Sequence, residues 1–296
     1  MKLQDDPIIV VLGPTSSGKS ALAIKIAKKI GGEVISADSR QVYKGMDIGT
    51  GKITRREMKG VCHYLLDVVS PKKIFTVAKY KSLGSKAIQK ILSRGKIPII
   101  CGGTGLYIRA LVDQPHIPEV PPNKRLRARL VKKSVNELFE MLKNKDPRRA
   151  ATIDSKNPRR LIRALEIIEA VGRVPELKYS PLINVVFIGI NIEPKKLKNL
   201  IRARLKKRIG AGMIKEIEKL HNSGISWSRL YDLGLEYRYG ALYLQNKITK
   251  KEFENQLLKE SLKYAKRQMT WFKKDKRIHW IKSEKEAFVL LKNTLE

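Results

Sequence analysis

The sequence predicts an α/β fold, with a doubly wound, mostly parallel sheet as its core and a helical insertion in the middle of the chain. In both flanks, short apolar runs alternate with amphipathic segments of helical periodicity, which is typical of βαβ units. Residues 123–172, in contrast, show helical patterns only. The chain has 296 residues, 42% of them hydrophobic, which is material for a sizeable core. Its length favours about two domains.

The first flank contains three strands and two helices. In order, we predict a strand at 7–12, a helix at 18–30, a strand at 33–36, a helix at 76–94 and a strand at 96–103. The first strand, PIIVVL, is apolar and rich in β-branched residues, as buried parallel strands are. The helix after it ends at Gly31-Gly32, because glycine readily adopts the conformation that closes a helix.

Prolines mark the start of the insertion. Residues 115–122, PHIPEVPP, carry four prolines in eight positions and read as a linker. The apolar run at 183–191, INVVFIGIN, is a strand that we expect to rejoin the first sheet. We therefore predict an α/β core from 1–113 and 183–296, and a helical insertion domain from 114–182. The rest of the core is predicted as helices at 194–209, 213–222, 236–245 and 249–272, a short strand (RIHWI) and a last helix.

The chain is strongly basic, with 62 Lys and Arg against 28 Asp and Glu and a formal net charge of +34. Each of the three pieces defined above carries part of this excess, so it is not confined to a tail. A field of this size favours a polyanionic partner, with nucleic acid as the leading candidate. The alternative is a protein whose solvated surfaces are lysine-rich without an RNA partner. Charge alone identifies neither a base nor a sequence.

Apolar runs and cysteines indicate the compartment. No apolar run approaches the roughly 20 residues that a membrane span requires, and the N-terminal residues do not resemble a secretory signal. Cys62 and Cys101 lie far apart and outside any CxxC pattern, which excludes a disulfide scaffold and a cysteine zinc site. We expect a cytoplasmic protein without a membrane partner.

A phosphate-binding loop follows the first strand. The motif GxxxxGK[ST] is matched by Gly13, Pro14, Thr15, Ser16, Ser17, Gly18, Lys19 and Ser20. In such a loop, backbone N–H groups and the helix N-terminus surround a phosphate group. Lys19 would neutralise phosphate oxygens, and the hydroxyl of Ser20 would ligate Mg²⁺. The loop therefore predicts diphosphate or triphosphate binding, although kinases, NTPases and some transferases all share it.

Two further segments follow strands at the same predicted sheet edge, where active sites of open α/β sheets lie. Asp38 comes directly after the second strand, and it is a base, a magnesium ligand or a helix cap. Thr104 follows the third strand in GGTGLY, and it either contacts a phosphate or caps the next helix.

Several motifs together resemble one family. GPTSSGKS, DSRQVYKGMDIGTGK, HYLLD, GGTGLYIRAL, DPRRAATID–NPRRLIRALEI and YAKRQMTWF occur in the order seen in tRNA dimethylallyltransferases, also called tRNA isopentenyltransferases. The resemblance extends from residue 8 to about residue 281. Only the first motif is widely shared with other phosphate-loop proteins.

The resemblance implies a Mg²⁺-dependent enzyme that transfers a dimethylallyl group from dimethylallyl diphosphate to N6 of adenosine 37. This base lies beside the anticodon in tRNAs that read codons beginning with U, so the partner is the anticodon stem-loop of tRNA. We expect a monomer. The alternatives are an adenylate isopentenyltransferase with a free-nucleotide acceptor, a phosphate-loop small-molecule kinase and a non-catalytic RNA-binding protein.

The resemblance also implies roles for individual residues. Asp38 resembles the general base, Lys19 belongs to the phosphate loop, and Arg208 resembles the arginine that steadies the diphosphate. Contacts with tRNA are implied for Asp38, Ser39, Arg40, Gln41, Thr104, Arg127, Arg159, Arg160, Leu161, Ile162 and Arg163. Arg208 also lies on a helix rich in Lys and Arg, where a surface role is the alternative.

Three segments depart from the family pattern. The stretch 233–238 (LGLEYR) differs from the usual Gly-Tyr-Lys-Glu-like sequence, and we predict no role for it. The spacer after Arg208 is about one helical turn shorter than usual, and SKNP precedes Arg159. In YAKRQMTWF, the aromatic residues Trp271 and Phe272 either stack on bases or, as we favour, pack in the core.

Overall fold

The structure, a computed structural model, describes residues 7–295. Two compact units divide the chain: the core unit, Met1–Gln114 with Pro181–Glu296, and the insertion unit, Pro115–Ser180. The boundaries predicted from the sequence, 113/114 and 182/183, lie one and two residues from these divisions.

All strands of the described chain belong to one sheet in the core unit. They are β1 (Ile8–Leu12), β2 (Glu33–Ala37), β3 (His63–Tyr64), β4 (Pro98–Gly102), β5 (Val185–Ile190) and β6 (Ile278–Ile281). Their order in the sheet is β3-β2-β4-β1-β5-β6, and all neighbours are parallel. The predicted parallel sheet is confirmed, and β5, from the far side of the insertion, pairs with β1 as expected.

Fourteen helices connect or follow these strands within the described residues. Those of the core unit are α1 (Lys19–Ile30), α2 (Arg55–Met58), α3 (Val77–Leu92), α4 (Gly105–Val112), α9 (Pro194–Gly210), α10 (Met213–Asn222), α11 (Trp227–Asp232), α12 (Leu235–Leu244), α13 (Lys250–Phe272) and α14 (Glu284–Leu295). Those of the insertion unit are α5 (Lys124–Leu130), α6 (Val135–Lys145), α7 (Pro147–Thr152) and α8 (Pro158–Val171). The periodicity did not predict the short helix α11, which begins where the hydroxyl of Ser226 accepts the backbone N–H of Arg229 at 3.2 Å.

The sheet separates two apolar layers of the core unit. Alternate residues of β1 face opposite sides: Val10 packs in the layer that contains side chains of α3, α4, α12 and α13, and Val11 in the layer with α1 and α14. All five residues of β1 are buried. Helices on both faces explain why the strand is apolar throughout and does not alternate with polar residues.

The insertion unit has its own small core, built around Leu130, Leu142 and Leu161. Glu166 is buried in this unit, and its carboxylate accepts two hydrogen bonds from the guanidinium of Arg127, each at 2.6 Å. The N–H of Asn123 and the side chain of Arg163 also donate to it, at 2.9 and 3.4 Å. These bonds satisfy a charge that would otherwise be costly to bury.

Across residues 7–295, none of the helices combines the length and apolar character needed to cross a membrane.

Candidate active site

The phosphate loop connects β1 to α1 at the carboxyl edge of the sheet, as the motif predicts. The ammonium of Lys19 donates to the carbonyl of Pro14 at 3.2 Å and so lies across the loop. Ser17 is buried, and its hydroxyl has no hydrogen-bond partner among the described residues. Burial lowers the pKa of Lys19, and the charge of Arg204 lowers it further, whereas Asp38 opposes the shift. An anion bound beside Lys19 would oppose this lowering of the pKa.

Asp38 occupies the end of β2 and organises the turn that follows it. One carboxylate oxygen accepts the N–H of Arg40 at 2.8 Å and that of Gln41 at 3.4 Å. The side chain therefore stabilises its own turn, which fits the capping alternative in part. Its second oxygen has no hydrogen bond to another described residue, so this oxygen can accept a proton or contact a ligand.

Thr104 joins the turn after β4 to the turn after β2. Its hydroxyl oxygen accepts the N–H of Ser39 at 3.1 Å, and its own N–H donates to the carbonyl of Ala37 at 3.1 Å. Thr104 occupies the N-cap position of α4, yet its side chain makes no capping bond there. The hydroxyl therefore links the predicted acceptor-contacting stretch to β4.

One face of α13 covers these turns. Tyr264, Gln268 and Trp271 follow one another at helical spacing. Gln268 is buried and hydrogen-bonds both the phosphate loop and the turn after β4. Burial, followed by the charge of Asp38, raises the pKa of Tyr264 to about 12, so its hydroxyl stays protonated. Phe272 is buried in the core as we favoured, whereas Trp271 packs against Gly105 and remains partly exposed.

A small cavity of about 60 Å³ lies where the three turns and α13 meet. It is lined by Thr15, Lys19, Ser20, Asp38, Gln41, Thr50, Cys101, Gly102, Arg204, Tyr264 and Gln268. The phosphate loop, the predicted base and the predicted magnesium ligand thus share one enclosed space. Burial raises the pKa of Cys101 to about 11, which keeps its thiol protonated and unreactive.

A second and larger cavity of about 590 Å³ also borders the phosphate loop. Its apolar lining comes from Ala21, Ile24, Ile53, Leu200 and Ala203, and its basic lining includes Lys19, Arg204 and Lys207. Lys19, Ser20 and Arg204 line both cavities, so the two spaces adjoin at the phosphate loop.

On α9, Arg204 lies at the phosphate loop, whereas the sequence prediction named Arg208 for this role. Arg204 donates to the hydroxyl of Thr15 at 3.5 Å and to the carbonyl of Gly51 at 3.2 Å, and it lines both cavities. Arg208 lies one helical turn further on and is not among the described residues that line either cavity. It donates instead to the carbonyls of Gly49 and Thr50, each at 3.1 Å, and pairs with Glu236 at 3.1 Å. The arginine nearest the phosphate loop is thus Arg204.

Burial and the positive charge of Arg208 lower the pKa of Arg204 to about 10. Gly51 lies against both guanidinium groups: a Cβ at this position would lie 2.0 Å from Arg208 and 2.4 Å from Arg204. The backbone there also has φ +57°, a conformation that favours glycine. This close approach explains the second glycine of the segment DIGTGK.

The stretch 233–238, for which no role was predicted, borders the site. A Cβ on Gly234 would lie 3.5 Å from the guanidinium of Arg40. Glu236 holds Arg208, and the hydroxyl of Tyr237 donates to Glu216 at 2.7 Å. The variant sequence therefore contacts both Arg40 of the predicted acceptor-contacting stretch and Arg208 of α9.

In the insertion unit, the predicted tRNA contacts differ in accessibility. Arg159 and Arg160 are exposed at the start of α8, and Ile162 and Arg163 are half-buried. Leu161 is fully buried in the core of this unit, and this corrects the prediction of an RNA contact for its side chain. Arg127 keeps 43% of its side chain exposed although Glu166 binds its guanidinium.

Four functional side chains escaped the sequence analysis: Arg204, Glu216, Gln268 and Tyr237. Each acts on a partner that is distant in the chain, and its local sequence does not identify that partner. The signal that could have found Arg204 is its spacing, one helical turn before Arg208 on the same helix.

The parallel sheet, the phosphate loop and a carboxylate at the same edge define a phosphate-loop enzyme that acts on a phosphorylated substrate. Residues 41–275 match the family model described as IPP transferase, and the chain belongs to this family. The chain is 42% identical over 287 residues to tRNA dimethylallyltransferase 1 of Syntrophus aciditrophicus, covering 94% of each protein. It is 39% identical to tRNA dimethylallyltransferase of Anoxybacillus flavithermus, over 93% of this chain and 90% of that protein.

Solved structures agree with the sequence relatives. The full-length tRNA isopentenylpyrophosphate transferase of Bacillus halodurans is similar with a TM-score of 0.74 and 35% identity, over 98% of this chain and 96% of that one. A eukaryotic dimethylallyltransferase acting on tRNA is similar with a TM-score of 0.77 and 27% identity, over 90% and 70% of the chains. These relatives favour a tRNA-directed transferase over the adenylate-directed and kinase alternatives.

Proposed function

We propose that the protein transfers the dimethylallyl group of dimethylallyl diphosphate to N6 of adenosine 37, beside the anticodon of tRNAs that read codons beginning with U. One observation carries this proposal: residues of the phosphate loop, Arg204 and Asp38 line a single cavity. A kinase also needs a phosphate loop, but the relatives of this chain are named tRNA dimethylallyltransferases.

The larger cavity is the donor site in this proposal. Its apolar residues, such as Ile24 and Ala203, suit the five-carbon chain, and its basic residues suit the diphosphate. Lys19 and Arg204, which line both cavities, mark the position of the diphosphate and therefore of the reacting carbon. The acceptor adenine enters the smaller space beside Asp38.

The reaction breaks the bond between C1 of the donor and the diphosphate oxygen, and it forms a bond between C1 and N6 of adenine. The main requirement is stabilisation of the departing diphosphate, since the allylic carbon tolerates positive charge. Backbone N–H groups of the loop, Lys19 and Arg204 supply that stabilisation electrostatically. The N6 proton passes to the free oxygen of Asp38, which contributes a factor of about 10²–10⁴ as a general base.

Magnesium fits this site as an ion held mainly by the substrate. Among the described residues, no group of three or more His, Cys, Asp or Glu forms a metal site. Ser20 and Asp38 line the small cavity with hard oxygen donors. Such a donor set suits Mg²⁺, which keeps water and phosphate oxygens as ligands. Bound there, the ion would neutralise charge on the departing diphosphate.

The acceptor must be an unpaired base. Adenine N6 is hydrogen-bonded and stacked in a duplex, so a loop or an extruded nucleotide is required to reach Asp38. The insertion unit carries 16 Lys and Arg against eight Asp and Glu, which suits the phosphates of an anticodon stem-loop. We further propose that the enzyme works as a monomer in the cytoplasm.

The test is to incubate the protein and Mg²⁺ with labelled dimethylallyl diphosphate and either tRNA or AMP. We expect label in tRNA alone, at N6 of adenosine 37, and loss of that label in the Asp38→Asn variant. Label in AMP alone would favour the free-nucleotide acceptor, and label in neither would exclude transfer. Digestion of the labelled tRNA and identification of the modified nucleoside establish the position.

A further inference from the structure

The loop 47–52 (DIGTGK) lies between two sets of charged groups in the core unit. On one side, its backbone N–H groups point to a carboxylate of α10. On the other, its carbonyl groups point to the guanidinium groups of α9.

Glu216 accepts three hydrogen bonds from the amide side of the loop and a fourth from Tyr237. One carboxylate oxygen accepts the N–H groups of Asp47 at 2.8 Å and Ile48 at 2.7 Å. The other accepts the N–H of Gly49 at 3.0 Å and the hydroxyl of Tyr237 at 2.7 Å. Three consecutive amides on one carboxylate form an anion-binding turn that a side chain of the same protein fills.

Tyr237 supports this contact from behind. It is fully buried, and burial, followed by the charge of Glu216, raises the pKa of its hydroxyl well above the ordinary value. The hydroxyl therefore remains a donor to the carboxylate. Gly49 packs directly on the ring, since a Cβ there would lie 2.7 Å from the phenol carbon and oxygen.

A buried lysine fixes the ends of the same loop. The ammonium of Lys52 donates to Asp47 at 2.6 Å, to Asp67 at 2.5 Å and to the carbonyl of Tyr43 at 2.8 Å. Lys52 therefore holds the first and last residues of the loop. Glu216 fixes the orientation of the N–H groups of Asp47, Ile48 and Gly49.

The carbonyl side of the loop holds the arginines. Gly49 and Thr50 accept from Arg208, and Gly51 accepts from Arg204 at 3.2 Å. Gln41, next to the turn of Asp38, donates to the same Gly51 carbonyl at 3.3 Å. Two backbone bonds inside the loop connect its two sides: the N–H of Gly51 donates to the carbonyl of Ile48 at 3.0 Å, and that of Lys52 donates to the carbonyl of Asp47 at 2.9 Å. Hydrogen-bonded peptide groups therefore run from Glu216 to each arginine, and hydrogen bonds in such a chain polarise and strengthen one another.

We propose that Glu216 is a positioning residue for the diphosphate: it fixes loop 47–52 so that its carbonyl groups hold Arg204 and Arg208 beside the phosphate loop. Glu216 itself touches neither cavity. The inference rests on the proposed function for its substrate, but its immediate prediction concerns only the binding of pyrophosphate, the product of that reaction.

The test compares wild type, Glu216→Gln and the matched control Glu218→Gln, an exposed carboxylate on the same helix. An amide cannot accept all four bonds, so we expect Glu216→Gln to weaken pyrophosphate binding and raise the KM for the donor about 10-fold. The KM for tRNA should stay within error, and Glu218→Gln should match the wild type. Tyr237→Phe, which removes one of the four bonds and preserves the ring, should shift pyrophosphate binding in the same direction by about threefold.

Coupling to the arginine distinguishes positioning from general loss of structure. If Glu216 acts through Arg204, the double variant Glu216→Gln with Arg204→Lys will bind pyrophosphate more tightly than the product of the two single effects predicts. Multiplicative effects, or unchanged pyrophosphate binding in both Glu216→Gln and Tyr237→Phe, would overturn the inference alone. No pyrophosphate binding by the wild type would overturn the proposed function, and this inference with it.

Discussion

The side chain of Gln268 joins α13 to the phosphate loop, because its carbonyl oxygen accepts the backbone N–H of Thr15 at 2.9 Å. The amide nitrogen of the same side chain donates to the carbonyl of Gly103 at 2.8 Å. The amide oxygen therefore binds the phosphate loop, and the amide nitrogen binds the turn after β4. The two bonds explain why a buried polar residue stands in the segment YAKRQMTWF, and they fix the distance between two walls of the small cavity.

Replacing Gln268 by glutamate keeps the size of the side chain but removes the donor. A carboxylate oxygen would then face the carbonyl oxygen of Gly103, which is repulsive and leaves a buried acceptor unsatisfied. We expect kcat/KM for the donor to fall at least about 10-fold and the Tm to decrease. Steady-state kinetics and thermal unfolding check this, with Lys259→Gln, at an exposed position of the same helix, as control. Unchanged kinetics in Gln268→Glu would show that the connection is not needed.

Asp38→Asn separates the two roles of this residue. The amide oxygen of asparagine can still accept the N–H of Arg40, so the turn should persist. The proton acceptor is lost, and we expect kcat to fall by about 10²–10⁴ with little change in tRNA affinity. Single-turnover transfer and tRNA binding measure the two quantities. Near-normal turnover would remove the base assignment and leave Asp38 as a cap.

The features that were predicted well from the sequence, such as the phosphate loop and the parallel sheet, are those that local sequence patterns determine. The phosphate loop is eight consecutive residues between a strand and a helix, so its position follows from its immediate neighbours. The parallel sheet follows from apolar runs that are buried on both faces. Asp38 and Thr104 were expected at one edge because parallel strands end on the same side, and they are bridged there through Ser39.

Contacts between distant residues could not be predicted in this way. Gln268 lies 253 residues from Thr15, and Glu216 lies 169 residues from Asp47. Arg204 and Arg208 lie on one helix, one turn apart, so their spacing alone does not show which of them lies at the phosphate loop. Only the packing of α9 against loop 47–52 decides which guanidinium reaches the phosphate loop. Leu161 stood in a basic segment, yet its apolar side chain belongs to the core of the insertion unit.

Filling the larger cavity tests whether it binds the donor. Ala203 lines this cavity on an exposed part of α9, so Ala203→Phe should fold normally and occupy space that the five-carbon chain requires. We expect the KM for dimethylallyl diphosphate to rise at least about 10-fold while the KM for tRNA is unchanged. Lys198→Phe, elsewhere on the same helix, provides the control. Equal donor KM values in both variants would exclude the cavity as the donor site.

The lowered pKa of Lys19 predicts how donor binding depends on pH. The diphosphate requires the charged ammonium, and burial makes this group lose its proton at a lower pH than an ordinary lysine does. Donor affinity, measured without tRNA, should therefore be full near neutral pH and fall as the pH rises toward the lysine range. In Lys19→Arg the fall should begin at higher pH. Superimposable pH curves for wild type and variant would contradict the assignment.

Salt dependence tests the part played by the basic insertion unit. Phosphate contacts release counterions, so tRNA affinity should fall steeply with salt, and each contact removed should reduce the slope of log K against log salt by about one. Arg160 is exposed at the start of α8, where Asn157 caps the helix. We expect Arg160→Ala to weaken tRNA binding, to lower that slope and to leave kcat at saturating tRNA unchanged. Lys219→Ala, on an exposed position of the core unit, should keep the wild-type slope. A flat salt response of the wild type would mean that the net charge of +34 contributes little to RNA binding.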